Sequence, residues 1–167
     1  MKRILLFIII FGCVFVSSAQ IKADEVDEII SEVCRQYDID KRLVYCVIET
    51  ESSFDPAARS NCDARGLMQI TPETWQRVCD DLLGVCWDFE DFGFDMRKNI
   101  EVGVRYLLWI EGYLKLHKNE LQTTHLELVL ACYNAGPGNV KKANFQVPPF
   151  SETQNYIAKV LSDFDAD

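Results

Sequence analysis

Cationic side chains are scarce in this sequence. Against 26 Asp and Glu it carries 17 Lys and Arg, a formal net charge of −9. Nucleic-acid binding needs a basic surface, so nucleic acid is not an expected partner. Bulk charge would not draw the chain to an anionic surface either, so an anionic polymer would have to be held by a shaped groove. Histidine is nearly absent. His117 and His125 are the only two, both in a polar stretch that reads as surface. No Cys-x-x-Cys pair occurs. Metal-ligand spacings are therefore lacking, and neither a metal nor another cofactor is expected. There are no internal repeats, no low-complexity tracts and no interdomain linker. Past the first residues, no run is long and apolar enough to cross a membrane.

The first residues do carry a long apolar run. Lys2 and Arg3 precede Ile4 to Val16, followed by the small residues Ser17, Ser18 and Ala19. That order reads as a secretory signal peptide over 1–19, cleaved after Ala19. The run is shorter than the ~20 residues that span a bilayer, which argues against a retained anchor. Phe11 fits a lipid-attachment motif poorly and the chain stays apolar after Cys13, so a lipid anchor there is not expected. Residues 20–167 are then one domain, long enough for one core and expected as a monomer in the periplasm or outside the cell. Of seven cysteines, six follow the leader: Cys34, Cys46, Cys62, Cys79, Cys86 and Cys132. An even number in an exported chain suggests up to three disulfides. Spacing does not fix the pairing, although Cys79 with Cys86 would close a short loop around Gly84.

Between Lys41 and Phe54 the apolar residues Val44, Val47, Ile48 and Phe54 recur at helical spacing, and Glu51 falls on the same stripe. Glu49 points to roughly the opposite side. Asp55-Pro56 stops this helix, since the residue before proline is pushed out of the α region. Glu51 thus sits in the last turn, near the negative end of the helix dipole. Burial and that dipole both disfavour its carboxylate and should raise its pKa. A carboxyl protonated near neutral pH is what a general acid for glycosidic cleavage needs. A solvated glutamate at a frayed helix end is the competing reading.

The rest reads as mainly helical. Ala23 to Tyr37 carries Val26, Ile29, Ile30 and Val33 at helical spacing, and Asp38 or Asp40 can cap the next helix. Ala57 to Ile70 breaks the pattern and predicts a loop or small hairpin. Thr71-Pro72-Glu73 starts a helix that runs to about Leu83. Cys86 to Arg97 is aromatic and acidic and gives no clear element. Asn99 is expected to cap a long helix through Leu114. Another helix runs from about Leu126 to Asn134, ended by Gly136-Pro137-Gly138. Ser151 and Gln154 form a capping-box pattern for a helix from Glu152 to about Phe164.

Taken in order, Glu51-Ser52, Ser60, Gly66-Leu67-Met68-Gln69, Tyr133-Asn134-Ala135-Gly136 and Glu152-Thr153 with Tyr156 resemble the soluble lytic transglycosylases of the lysozyme-like superfamily. The resemblance spans about Ile39 to Leu161. It implies a mainly α, lysozyme-like α+β fold with a small loop or hairpin region after the catalytic helix. It also implies cleavage of the β-1,4 bond between N-acetylmuramic acid and N-acetylglucosamine in peptidoglycan. Attack by the muramic 6-hydroxyl on its own C1 then gives a 1,6-anhydro sugar. Glu51 matches the single catalytic acid. Ser60, Gly66, Gln69, Tyr133, Asn134 and Ala135 match groove positions, with Gln69 donating to and accepting from the sugars. Glu152 and Tyr156 match positions that support the acid from behind. Met68 reads as core. The resemblance names peptidoglycan strands as partner. Small single-domain members also serve secretion, pilus or conjugation machinery, and nothing in this sequence identifies such a partner.

The sequence departs from the family pattern at Cys62, Asp63, Thr71 and Cys132, none of which is the acid. Cys46 lies on the catalytic helix, where a disulfide would stiffen the site. Asp55 and Asp63 are the nearest candidates for a second carboxylate, and both have simpler turn roles. A goose-type lysozyme-like hydrolase and a glycan-binding protein without turnover are the alternative readings.

Overall fold

Five successive positions, Leu128 to Cys132, are fully or almost fully buried. A helix apolar all round has to sit inside the molecule, and this one is enclosed by neighbours on several sides. The computed structural model describes residues 18–85, 87–117 and 123–166. In chain order it has α1 (Ser18–Tyr37), α2 (Lys41–Ser52), α3 (Pro72–Arg77), a π-helical segment (Val78–Leu83), α4 (Phe89–Phe92), α5 (Met96–Leu116), α6 (His125–Ala135), α7 (Pro137–Lys142) and α8 (Ser151–Asp165). α5 packs against α1 and α6, α6 also against α7 and α8, and α2 against α1 and α8. No helix among the described residues is long and apolar enough to cross a membrane.

The fold is mainly α, as expected. The hairpin region is reduced to two isolated antiparallel bridges, Arg59 with Arg65 and Arg65 with Ile70. Arg65 holds this loop from within. The residue is 3% exposed, its side chain is bonded to Asp63 and Glu90, and it lies over the rings of Phe89 and Phe94. A buried guanidinium of this kind needs its fork fully paired.

Several helix ends differ from expectation. α1 starts at Ser18, ahead of Ala23, so it overlaps the expected cleavage point. The remainder of the leader and Cys13 lie outside the described residues. Asp40, rather than Asp38, caps α2. α2 ends at Ser52, because Ser53 and Phe54 adopt φ of 50° and 62°. Phe54 is therefore not helical, and Asp55-Pro56 lies past the stop. Thr71 caps α3 as expected, but the helix widens into the π-helical segment. Asp95, not Asn99, caps α5. Phe150 precedes α8 and no side chain caps it, so the Ser151/Gln154 box does not form. The capping box is at α6, between Thr124 and Glu127.

Among the described residues Cys34, Cys62 and Cys132 are free thiols, so the full set of three disulfides does not form. Cys86 lies outside the described residues, and with it the Cys79–Cys86 pairing. His117 is less exposed than a surface residue would be. It is half-buried, with Nδ1 2.9 Å from the Tyr113 carbonyl oxygen, and its ring stacks on Phe145.

Candidate active site

Glu51 continues the stripe of Val44, Val47 and Ile48, all three fully buried. The two left-handed residues that follow turn the chain sharply away, which leaves the Glu51 carboxyl facing a cleft. Left-handed conformation in non-glycine residues is costly and persists only where surrounding structure enforces it. Ser52 supplies part of that enforcement. Its hydroxyl donates to the Leu67 carbonyl at 2.8 Å and to Ile48 at 3.1 Å.

The loop facing Glu51 is held from two further helices. Asn99 of α5 is fully buried. Its Oδ1 accepts from the Met68 N–H at 2.8 Å, and its Nδ2 donates to the carbonyls of Arg65 and Gly93. The Tyr133 hydroxyl of α6 donates to the Met68 carbonyl at 2.8 Å. Gly66 does not line the cleft. Its φ is +73° and a Cβ there would stand 2.6 Å from the Asn99 side chain, so glycine is required by backbone and packing together. Met68 is core, as expected.

The cleft has a volume of about 410 Å³. Glu51, Ser60, Gln69, Tyr133, Asn134 and Glu152 all line it. Ala135 does not. It lines a neighbouring recess together with Gly136 and Pro137. Gln69 is tied down more than expected: its Nε2 donates to the Ala58 and Gly66 carbonyls, leaving the amide oxygen as the end that can serve a ligand. Asn134 is oriented the other way. Its Oδ1 accepts from the buried Thr153 hydroxyl at 2.8 Å, which leaves Nδ2 as the free donor. The Ser60 hydroxyl accepts from the N–H groups of Cys62 and Ala64, so it shapes its own turn while lining the cleft.

Burial pushes the Glu51 carboxyl up to about 7. The nearby Glu152 carboxylate pushes it the same way, while Tyr156 and Lys159 act against the rise. Tyr156 is buried and its hydroxyl faces Glu51 without a well-formed hydrogen bond. Burial and the charge of Glu51 also keep the phenols of Tyr133 and Tyr156 neutral. Glu152, expected to support the acid from behind, lines the cleft itself. Neither Asp55 nor Asp63 serves the cleft: Asp55 accepts from the Ala57 N–H, and Asp63 is paired with Arg59 and Arg65.

Tyr106 and the fastening role of Asn99 carry no signal of their own in the sequence. Tyr106 lines the cleft, stacks on Trp109 and meets Tyr133 at 5.6 Å. It falls on the apolar stripe of α5, where an aromatic is indistinguishable from core.

A largely buried acid at a helix end, facing a cleft walled by an irregular loop, is an arrangement that a lysozyme-like fold provides. Residues 28–156 match the family described as Transglycosylase SLT domain, and the chain belongs to that family. It is 31% identical over 143 residues to membrane-bound lytic murein transglycosylase C of Mannheimia succiniciproducens, covering 85% of this chain and 38% of that protein. It is 30% identical to the protein of that name from Sodalis glossinidius, covering 83% and 37%. The chain thus spans less than two-fifths of the length of these curated relatives. Its fold matches that of the 70 kDa soluble lytic transglycosylase of Escherichia coli with a TM-score of 0.70 at 24% identity, over 83% of this chain and 23% of that one. The lytic transglycosylase Slt of Pseudomonas aeruginosa superposes with a TM-score of 0.66 at 23% identity, over 82% and 23%.

Proposed function

We propose that this protein is a peptidoglycan lytic transglycosylase that cuts between N-acetylmuramic acid and N-acetylglucosamine and leaves a 1,6-anhydromuramic end. The observation that carries this reading is the Glu51 carboxyl, held protonated to about pH 7 in a cleft with Gln69, Tyr133 and Asn134. Glu51 gives its proton to the bridging oxygen as the C1–O bond breaks. The leaving N-acetylglucosamine departs with a free 4-hydroxyl. The substrate's own N-acetyl carbonyl stabilises the cation at C1, as in the substrate-assisted exceptions to the two-carboxylate scheme. The 6-hydroxyl then attacks C1 while the Glu51 carboxylate takes its proton, and the acid is restored. One group serves as acid and then base, and no water is consumed.

The unbonded Asn134 amide nitrogen and Gln69 oxygen at the cleft support a role in binding acetamido groups and hydroxyls. Names of relatives that refer to murein support peptidoglycan as substrate. A site of action outside the cytoplasm follows from that substrate and from the leader-like residues 1–19. A hydrolase of the same fold has one observation in its favour, the Glu152 carboxylate in the cleft, which could activate water. The test of the acid is Glu51→Gln. Turnover of purified sacculi should be lost while binding of a glycan fragment remains measurable. Unchanged turnover would refute the assignment.

A further inference from the structure

The cleft that holds Glu51 does not end at Thr74 and Tyr106. Both residues also line a second recess of about 430 Å³, so the two hollows share a wall. Glu73, Arg77, Gly138, Asn139 and Lys142 bound this second part. The groove is electrically lopsided. Its acid end carries Glu51 and Glu152, while Arg77 and Lys142 line the other end with Glu73 as the single acid there. Neither cation is committed elsewhere by a strong pair. Arg77 has only a long, exposed contact of 3.8 Å to Glu73, and its guanidinium lies over the Trp109 ring. Lys142 is exposed at the end of α7. Gly138 borders this end. A Cβ there would meet no atom within 4 Å and its backbone is not left-handed, so neither packing nor the turn requires glycine.

We propose that Arg77 and Lys142 form a carboxylate-binding end to the groove, which takes an acidic substituent carried by the glycan. This rests on reading the cleft as a glycan groove. An aromatic-backed guanidinium offers a planar fork to a carboxylate, and an ammonium beside it adds a second charge-assisted donor. A strand of neutral N-acetyl sugars gains nothing from such a pair. A strand with carboxylates gains affinity and direction along the groove. On a muramic-containing strand the carboxylate has two sources: the lactyl group where it carries no stem, or the peptide stem, whose attachment turns the lactyl carboxylate into a neutral amide.

The experiment reads binding without turnover, by calorimetry on the Glu51→Gln protein at low salt. Three tetrasaccharides are compared: a chitin oligomer with no carboxylate, a stem-free muramic oligomer with lactyl carboxylates only, and the stem-bearing oligomer. At least one carboxylate-bearing ligand should bind about tenfold more tightly than the chitin oligomer, with the advantage shrinking as salt rises. Gain by the stem-bearing ligand alone identifies the stem, gain by the stem-free muramic ligand alone identifies the lactyl group, and equal gain by both shows a site that accepts either carboxylate. Adding Arg77→Gln and Lys142→Gln should bring the ratio of affinities to about one, with thermal melting as a check on folding. Binding of the chitin oligomer with no carboxylate advantage, or an advantage that survives both substitutions, overturns the proposal alone. Failure of all three ligands to bind overturns the groove reading and this inference with it.

Discussion

The Tyr133 hydroxyl donates a 2.8 Å hydrogen bond to the Met68 carbonyl, 65 residues earlier in the chain. That bond ties α6 to the loop opposite the catalytic acid, on the wall of the same cleft. Tyr133→Phe keeps the ring and removes the tie. A buried carbonyl then loses its partner, which should cost about 1–2 kcal/mol, read from urea unfolding. Activity should fall by more than the stability loss explains, because Met68 is next to Gln69. Equal stability of the two proteins would show that the tie carries no load.

Glu51 should make the folded protein less stable as pH rises. Its folded pKa is raised from the ordinary value of 4.5 to about 7 by burial. A carboxyl raised in this way favours folding fully below about pH 4.5 and loses that contribution as pH climbs through about 7. The shift corresponds to about 3 kcal/mol. Glu51→Gln mimics the protonated form, so it should match the parent at pH 4.5 and exceed it in stability at pH 8 by up to that amount. Unfolding curves at the two pH values check this.

The same proton sets the pH profile of the reaction. The specificity constant kcat/KM should decline above about pH 7, as the acid loses its proton. Glu152→Gln removes the like charge that helps to hold that proton, so the descending limb should move to lower pH. A limb that stays in place would mean that Glu152 does not act on Glu51.

Gly66 and Asn99 should behave as one unit. Gly66→Ala places a methyl 2.6 Å from the Asn99 side chain at a left-handed residue. Asn99→Ala leaves the Met68 N–H and the Arg65 and Gly93 carbonyls without their partner. Each substitution should lower stability by about 2 kcal/mol or more. Because both damage one contact, the double variant should lose less than the sum of the two.

The position of Glu51 was legible because helical periodicity alone puts a carboxylate on a buried stripe. The short motifs were legible because each is local. What fastens them was not. Asn99 reaches Met68 across 31 residues and Tyr133 reaches it across 65, and no local pattern encodes such pairs. Asn99 looked like a cap because a short polar side chain next to an apolar run suits one, yet Asp95 stands one turn earlier and takes that role. The Ser151 pattern misled for the opposite reason. Its residues suit a capping box, but Ser151 is already helical. From sequence, Gly136-Pro137-Gly138 reads only as a stop, yet its proline also begins α7.

Mass spectrometry of the products released from purified sacculi tests the central claim most directly. A reaction in which Glu51 returns to the 6-hydroxyl of the same ring gives muramic ends lighter by one water than hydrolysed ends, and these should dominate from the first time point. Products carrying the full mass of added water would contradict the account and make this protein a hydrolase.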